Sequence, residues 1–315
     1  EGAATLAVSG TGTAAMETAI ANVTEPGRRA LVVVTGYFGE RLVTMLGRYG
    51  ATVERVDGEW GRAIDPARVS EALSRGRLDI VAVVRAETVK GVCNPLDAIA
   101  RLAREHDALV LVDAVTSLGA MPLEIGAWGV DACYSCSQKG LGAPSGLSPV
   151  TFSARALDRL VACRSFYFDL NLLLDFWVRR KYHHTISAPL VYALDAALAE
   201  VEEEGLDARW QRHASVPESF VRALDGLGLS LLPPPGERLW SLNAVRVPDG
   251  VEEAAVRKRL LDRQNIEIGA GLGPRAGRIW RIGLMGAGAT LENVSRLSDA
   301  LAEAHSRGIV HRDVK

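Results

Sequence analysis

Lysine is scarce in this chain. Of 36 basic residues in 315, only Lys90, Lys139, Lys181, Lys258 and Lys315 are lysine, so a lysine-dependent chemistry has few places to reside. Cysteine is sparser still: Cys93, Cys133, Cys136 and Cys163 do not make a disulfide framework in a chain this long. Cys133 and Cys136 have the spacing of a zinc or redox pair, yet no second pair accompanies them and the six histidines are scattered. They read as two small, half-buried residues at the end of a strand. Net charge is almost lacking, at −2, which leaves no basic field for nucleic acid or an anionic membrane. No apolar run approaches the roughly eighteen residues of a membrane span. The opening residues, from Glu1 on, are not expected to form a signal peptide. A cytoplasmic protein is the expectation.

What is present is apolar and regularly punctuated. Apolar residues make up 48% and charged residues 23%, which suits a globular protein with one large domain and a smaller one. There is no internal repeat and no low-complexity tract. Short β-branched runs at 30–34 (ALVVV), 80–84 (IVAVV) and 109–112 (LVLV) alternate with helical stretches, and weaker runs lie at 53–56, 132–135 and 149–152. Leu42, Met45, Leu46 and Tyr49 share one helical face, as do Leu96, Ile99, Ala100, Leu102 and Ala103. Continuous apolar strands between helices predict an α/β fold, a mostly parallel sheet covered on both faces. Ligands of such sheets sit beyond the carboxyl ends of the strands. After a long helix at 191–204 the pattern changes: helices at 210–227, 251–264 and 291–305, strands at 243–247 and 280–283, and a turn at Pro233–Gly236 predict a small α+β domain. The expected division is therefore 1–204 and 205–315.

Three places can carry chemistry. Thr11, Gly12 and Thr13 open a helix whose apolar face is Met16, Ala19, Ile20 and Val23; free N–H groups at such an end suit a phosphate, although small residues before helices are more often caps. Asp113 ends the buried strand LVLV, where a carboxylate is costly unless it caps a turn or faces a buried cation such as a protonated pyridine nitrogen. Lys139 stands between a strand and the small-residue loop Gly140-Leu141-Gly142-Ala143-Pro144-Ser145-Gly146. An ammonium in a crowded apolar place becomes a usable nucleophile toward an aldehyde. The other lysines, in polar helices, loops or at the terminus, read as solvated.

These pieces occur in ordered motifs: LVDAVTSLGAMPLEI at 111–125, SCSQKGLGAPSG at 135–146, SFYFDL at 165–170, YHHT at 182–185, IEIGAGLGP at 266–274 and WRIGLMG at 280–286. Over nearly its whole length the chain resembles the class V aminotransferases of pyridoxal-phosphate fold type I, and within them the alanine/serine–glyoxylate group. The resemblance implies pyridoxal 5'-phosphate held as a Schiff base by Lys139, which would also shuttle the substrate proton. It implies Asp113 against the pyridinium nitrogen, and Thr11, Gly12, Thr13 and Gln138 around the phosphate. Phe38 matches the aromatic residue stacked on the ring, where relatives often have Trp, and Thr88 a hydroxyl residue beside it. Arg281 would clamp the substrate carboxylate as a buried, paired arginine. Tyr182 and Thr185 would reach across a homodimer interface to the neighbour's phosphate, so that the active sites are shared. His183 and His184 read as packing residues; Trp128 and the Leu291, Val294, Leu297, Leu301 stripe read as core. Members of the family carry several dozen residues ahead of the position matched by Glu1, a segment expected to close the substrate channel and wrap the partner.

The implied reaction moves an amino group from alanine or serine to glyoxylate or pyruvate. Two other readings stand beside it. The (S)-ureidoglycine–glyoxylate enzymes share RYGATVERVDGEWGRAIDP and GRIWRIGLMG, but an Asn is expected there in place of Tyr182. A dimeric remnant that binds the cofactor with impaired turnover is the alternative outside transamination. Cysteine desulfurases carry a His before the lysine and a cysteine downstream; Gln138 and the lack of cysteine after Cys163 argue against them. The tail from Ala304 to Lys315 resembles a kinase catalytic loop through His311-Arg312-Asp313, but it stops before a metal-binding Asn and has no glycine-rich loop or DFG with it.

Overall fold

The computed structural model describes residues 3–273 and 276–306. The first half alternates strand and helix: β1 (Ala4–Ser9), α1 (Gly12–Val23), β2 (Arg29–Val34), α2 (Tyr37–Arg48), β3 (Thr52–Asp57), α3 (Pro66–Ser74) and β4 (Ile80–Val84). A small hairpin of β5 (Ala86–Glu87) and β6 (Val92–Cys93) follows, then α4 (Leu96–Glu105), β7 (Leu109–Asp113), α5 (Ile125–Trp128), β8 (Ala132–Tyr134) and β9 (Leu147–Phe152). Seven strands form one sheet in the order β1-β9-β8-β7-β4-β2-β3. β9 pairs antiparallel with both its neighbours while the remaining pairs are parallel, so it alone runs against the other six.

The apolar runs are continuous because both sheet faces are covered. Alternate residues serve opposite cores: Ala30, Val32, Val34, Ile80, Ala82, Leu109 and Leu111 pack with Met16, Ile20, Leu42 and Leu46 of α1 and α2. Leu31, Val33, Val81, Val83, Val110 and Val112 pack with Val69 and Leu73 of α3 and with Ile99 and Ala103 of α4. The helix α3 carries a start signal, since Asp65 accepts the Ala67 N–H at 2.9 Å and Pro66 occupies the first turn, where its missing N–H costs nothing.

After α6 (Ala154–Leu157) and α7 (Leu170–Trp177), α8 (Ala188–Glu204) leads through Gly205 into α9 (Leu206–Gly226). Then come β10 (Leu242–Arg246), α10 (Glu253–Gln264), β11 (Gly269–Ala270), β12 (Ile279–Gly283) and α11 (Leu291–Ser306). β10, β12 and β11 make a three-stranded antiparallel sheet. Its core joins Phe220, Leu224, Val256, Leu260, Trp280, Ile282, Val294, Leu297 and Leu301.

The strands and helices expected from periodicity are present within a few residues; the short edge strand β1 and helices α3 and α7 were not foreseen. Four expectations need correction. Lys90 is not solvated: it is buried, donates to the Thr35 carbonyl and sits 3.5 Å from the centre of the Trp60 ring. Cys133 and Cys136 are fully rather than half buried, and burial pushes their thiols up to about 12 and about 11, so neither is a thiolate at neutral pH. No group of three metal-ligating side chains occurs among the described residues. Leu291 drops out of the core stripe at 63% exposure, because it opens α11, and Trp128 is only half-buried with Arg85 4.8 Å over its ring. The kinase-like 307–315 tail lies outside the described residues, as does Pro274. No helix among the described residues is long and apolar enough to cross a membrane.

Candidate active site

Because six strands run the same way, their carboxyl ends deliver Ser9, Thr35, Arg85, Asp113 and Ser135 to one edge of the sheet, where the connecting loops converge. Asp113 is the last residue of the central strand β7 and is 2% exposed. Its Oδ1 accepts the Val115 N–H at 2.8 Å and its Oδ2 accepts the Tyr134 hydroxyl at 2.9 Å. Burial pushes its carboxyl up to about 6 despite those bonds and the Arg41 charge. A buried carboxylate held at that cost favours a cation opposite it, which would reverse the shift.

The N-terminus of α1 lies beside this carboxylate. A Cβ on Gly12 would stand 3.1 Å from Val115 Cγ2 and 3.5 Å from Cys136 Cβ, so the helix start touches both the turn after Asp113 and the strand end leading to Lys139. Thr11 caps α1 without a side-chain hydrogen bond, and no acidic residue occupies the first turn. Thr13 Oγ1 instead accepts Arg41 Nη1 at 2.7 Å. This leaves the positive end of the helix dipole available to an anion. Phe38 is half-buried, with the Arg41 guanidinium 5.0 Å from its ring centre. Thr88 is buried and shares a 2.6 Å hydrogen bond with Thr116 Oγ1.

Lys139 is half-buried, in a turn stabilised by the Gly142 N–H donating to its carbonyl at 3.1 Å, whereas Gln138 beside it is exposed. Arg281 lies in the middle of β12. It is half-buried rather than buried, and it is not paired with a carboxylate: its Nε donates to the Ala270 carbonyl at 2.6 Å, and burial lowers its pKa from the usual arginine value. Arg281 makes no ion pair among the described residues, which leaves its outer nitrogens for a carboxylate from solution.

Tyr182 and Thr185 remain at the surface, Tyr182 at 82% exposure, with their hydroxyls 3.3 Å apart. The structure does not bring them into the pocket of their own chain. His184 Nε2 ties this segment to Ser9 Oγ at 2.6 Å, and His183 stacks on Phe166, so both histidines are packing residues as expected.

Sequence reasoning missed Glu87 and Arg41. Glu87 is buried; burial pushes its carboxyl up to about 7, with the Asp113 charge adding to the rise. One of its oxygens has no hydrogen-bond partner, and the carboxyl packs where a Cβ of Gly36 would be, 2.2 Å from its Cδ. The carboxyl therefore packs directly against the turn that leads into Phe38. A lone Glu in RAETVKG carries no periodic signal, which is why it stayed hidden.

A helix start free of acidic residues, a buried carboxylate at the end of β7 and a half-buried lysine in the loop after β8 are groups of the kind that a phosphate, a basic ring nitrogen and an aldehyde need. The fold is that of the type I pyridoxal-phosphate enzymes. The aminotransferase class-V family model matches residues 3–297, and the chain belongs to that family of pyridoxal-phosphate-dependent transaminases. A solved alanine–glyoxylate aminotransferase from Nostoc is 48% identical, with TM-score 0.93 over 96% of this chain and 81% of its own. The ureidoglycine–glyoxylate aminotransferase structure from Bacillus subtilis is 34% identical, with TM-score 0.95 over 99% of this chain and 81% of its own. The alanine–glyoxylate aminotransferase of Oryctolagus cuniculus is 39% identical over 96% of this chain and 79% of its own length.

Proposed function

We propose that the chain transfers the amino group of a small amino acid, alanine or serine, to glyoxylate or pyruvate. The observation that carries this is Arg281: an arginine drawn half out of water with no ion-pair partner among the described residues is a receptor for the carboxylate that donor and acceptor share. Similarity to alanine–glyoxylate enzymes, together with Tyr182 ahead of His183-His184-Thr185, favours alanine or serine as donor. Ureidoglycine is the second reading, favoured by the close superposition on the Bacillus subtilis enzyme.

Pyridoxal phosphate, when bound, supplies an electron sink for the bond broken at the substrate Cα. The chain's residues do the rest. The α1 start, with Thr11, Gly12, Thr13 and Gln138, binds the phosphate. Phe38 and Thr88 would flank the cofactor ring, and Asp113 would hold a proton at its ring nitrogen. Lys139 would hold the cofactor through its Nζ and would serve as the base that takes up and returns the donor's Cα proton. Arg281 orients the donor so that its Cα–H faces Lys139.

The site is completed in a homodimer, where Tyr182 and Thr185 meet the partner's phosphate. Phe166, Val178, Tyr182 and Tyr192 are exposed at 70%, 72%, 82% and 74%, an apolar surface that a second copy would cover. The large domain extends to Glu204 and the small one begins at Gly205, between α8 and α9. A cytoplasmic location accords with four unbridged cysteines. Initial rates with L-alanine, L-serine and (S)-ureidoglycine against glyoxylate test the substrate reading. Alanine or serine should give the highest kcat/KM; a preference for ureidoglycine would transfer the assignment to the second reading. Activity that falls on dilution in parallel with dimer dissociation checks the shared site, and a fully active monomer would refute it.

A further inference from the structure

Near its start the helix α9 carries Arg209, Arg212 and His213. Arg209 is 4% exposed, an unusual place for a guanidinium. Its Nη2 donates to the carbonyl of Gly140, the residue after Lys139, at 2.7 Å, and its Nε donates to the carbonyl of Gly119 at 3.0 Å. Gly119 closes the turns that follow Asp113. Its own backbone lies against Gly140, since a Cβ there would stand 3.1 Å from the Gly140 oxygen. The third nitrogen, Nη1, pairs with Glu204 Oε2 at 2.6 Å, which supplies the counter-charge a buried guanidinium needs.

The neighbouring residues extend the same arrangement to a third segment. Arg212 donates to the Gly286 and Ala289 carbonyls at 2.9 Å each and pairs with Glu204 Oε1 at 2.5 Å. His213 Nε2 accepts the Gly286 N–H at 3.0 Å. Gly286 follows Arg281 at the end of β12, has φ +58, and abuts the Lys139 loop so closely that a Cβ would lie 3.3 Å from the Lys139 oxygen. One turn of α9 therefore holds the backbones that carry Asp113, Lys139 and Arg281.

We propose that Arg209 is a positioning residue of the transamination site, fixing the distance from the Lys139 loop to the Asp113 loop, with Arg212 and His213 fixing the Arg281 segment to both. The proposal rests on the reading of Lys139 as the cofactor-binding lysine. The planar fork of arginine is required because two carbonyls from different segments and one carboxylate are bonded at once; the compact ammonium of lysine does not span them. A positioning role differs from a merely structural one in what it changes. Loss of the fork displaces Lys139 relative to the substrate Cα, which slows proton transfer, and leaves Arg281 free to bind the donor.

The test uses the holoenzyme and follows single-turnover reaction of the bound cofactor with L-alanine by visible absorption. Arg209→Ala should react ~100-fold more slowly, the scale of a displacement of about 1 Å, with the half-saturating alanine concentration within threefold of wild type. Guanidinium ion added at tens of millimolar should restore at least a tenth of the wild-type rate to Arg209→Ala and none to Arg209→Lys. A rate within threefold of wild type in Arg209→Ala, or a loss that guanidinium does not repair, overturns the proposal. If Arg209→Ala fails to retain cofactor, Arg209→Lys decides: a rate reduced at least tenfold with unchanged half-saturation supports the proposal, and any smaller loss overturns it. Lys139→Ala run in parallel separates the two claims. Turnover by Lys139→Ala refutes the lysine assignment, whereas inactive Lys139→Ala beside wild-type Arg209→Lys refutes only the role of Arg209.

Discussion

Replacing His213 by glutamine should flatten the acid limb of the stability curve. The imidazole is fully buried, donates from Nδ1 to the Arg209 carbonyl at 2.8 Å and accepts the Gly286 N–H at Nε2. Burial pulls its pKa down from 6.5 to about 4; the Arg212 and Arg209 charges act in the same direction, and Glu204 opposes them. The folded value lies below the unfolded one, so the neutral form is the native form. Its contribution is complete above pH 6.5 and is lost as the pH falls toward 4. A depression of about 2.5 units at about 1.36 kcal/mol each comes to about 3 kcal/mol. Glutamine can accept the Gly286 N–H without titrating, at a neutral-pH cost of about 1–2 kcal/mol for the lost side-chain hydrogen bond to the Arg209 carbonyl. Urea denaturation of both proteins at pH 7, 6, 5 and 4 is the assay. The wild-type advantage should shrink with falling pH and change sign between about pH 6 and about pH 5. Asp113 and Glu87, raised to about 6 and about 7, give the opposite slope, with stability lost as pH rises through those values, but they act equally in both proteins and cancel in the difference. Parallel curves from pH 7 to 4 would refute a neutral, buried His213.

Other substitutions test other levels of the account. Asp113→Asn removes the charge opposite the ring nitrogen and should slow reaction with L-alanine by roughly 10–100-fold, the value of a charged hydrogen bond of about 1.5–3 kcal/mol; stopped-flow absorption reads it. Arg281→Met should lower kcat/KM for alanine and glyoxylate alike by about 10²–10³-fold while cofactor affinity holds, because two charge-assisted bonds to the shared carboxylate are lost. Gly36→Ala places a methyl 2.2 Å from the Glu87 Cδ and should cost about 1–3 kcal/mol in denaturation, a loss that Gly36→Ala combined with Glu87→Ala should partly recover. Phe220→Ala, at a fully buried position of the small-sheet core, should cost about 3–5 kcal/mol by calorimetry.

The large sheet was legible because its strands are buried on both faces and read as unbroken apolar runs, so ALVVV, IVAVV and LVLV landed where expected. β1 was not, since ATLAVS is short, holds two alanines and borrows its stability from pairing with β9. α7 escaped because LNLLLDFW is only eight residues long, so Asn171 and Asp175 mark its polar face just once. In the candidate site, Asp113 stood out at the end of an apolar strand and Lys139 in the small-residue loop that follows one. The roles of Thr88 and Phe38 came only from family resemblance. Lys90, Glu87 and Arg209 were invisible because each is a charged residue buried by partners distant in sequence: Thr35 and Trp60 for Lys90, the Gly36 turn for Glu87, and the Gly119 and Gly140 carbonyls for Arg209. Periodicity reports which face a residue shares. It does not report which loop from another element will meet it.

The most direct test is the visible spectrum of the purified protein incubated with pyridoxal phosphate, taken before donor, after L-alanine or L-serine, and again after excess glyoxylate, with Lys139→Ala alongside. The account predicts a yellow band that bleaches with donor and returns with glyoxylate, and a Lys139→Ala protein whose band, if formed, does not cycle. A band unchanged by every donor would favour a cofactor-binding remnant, and a Lys139→Ala protein that cycled like wild type would contradict the central claim.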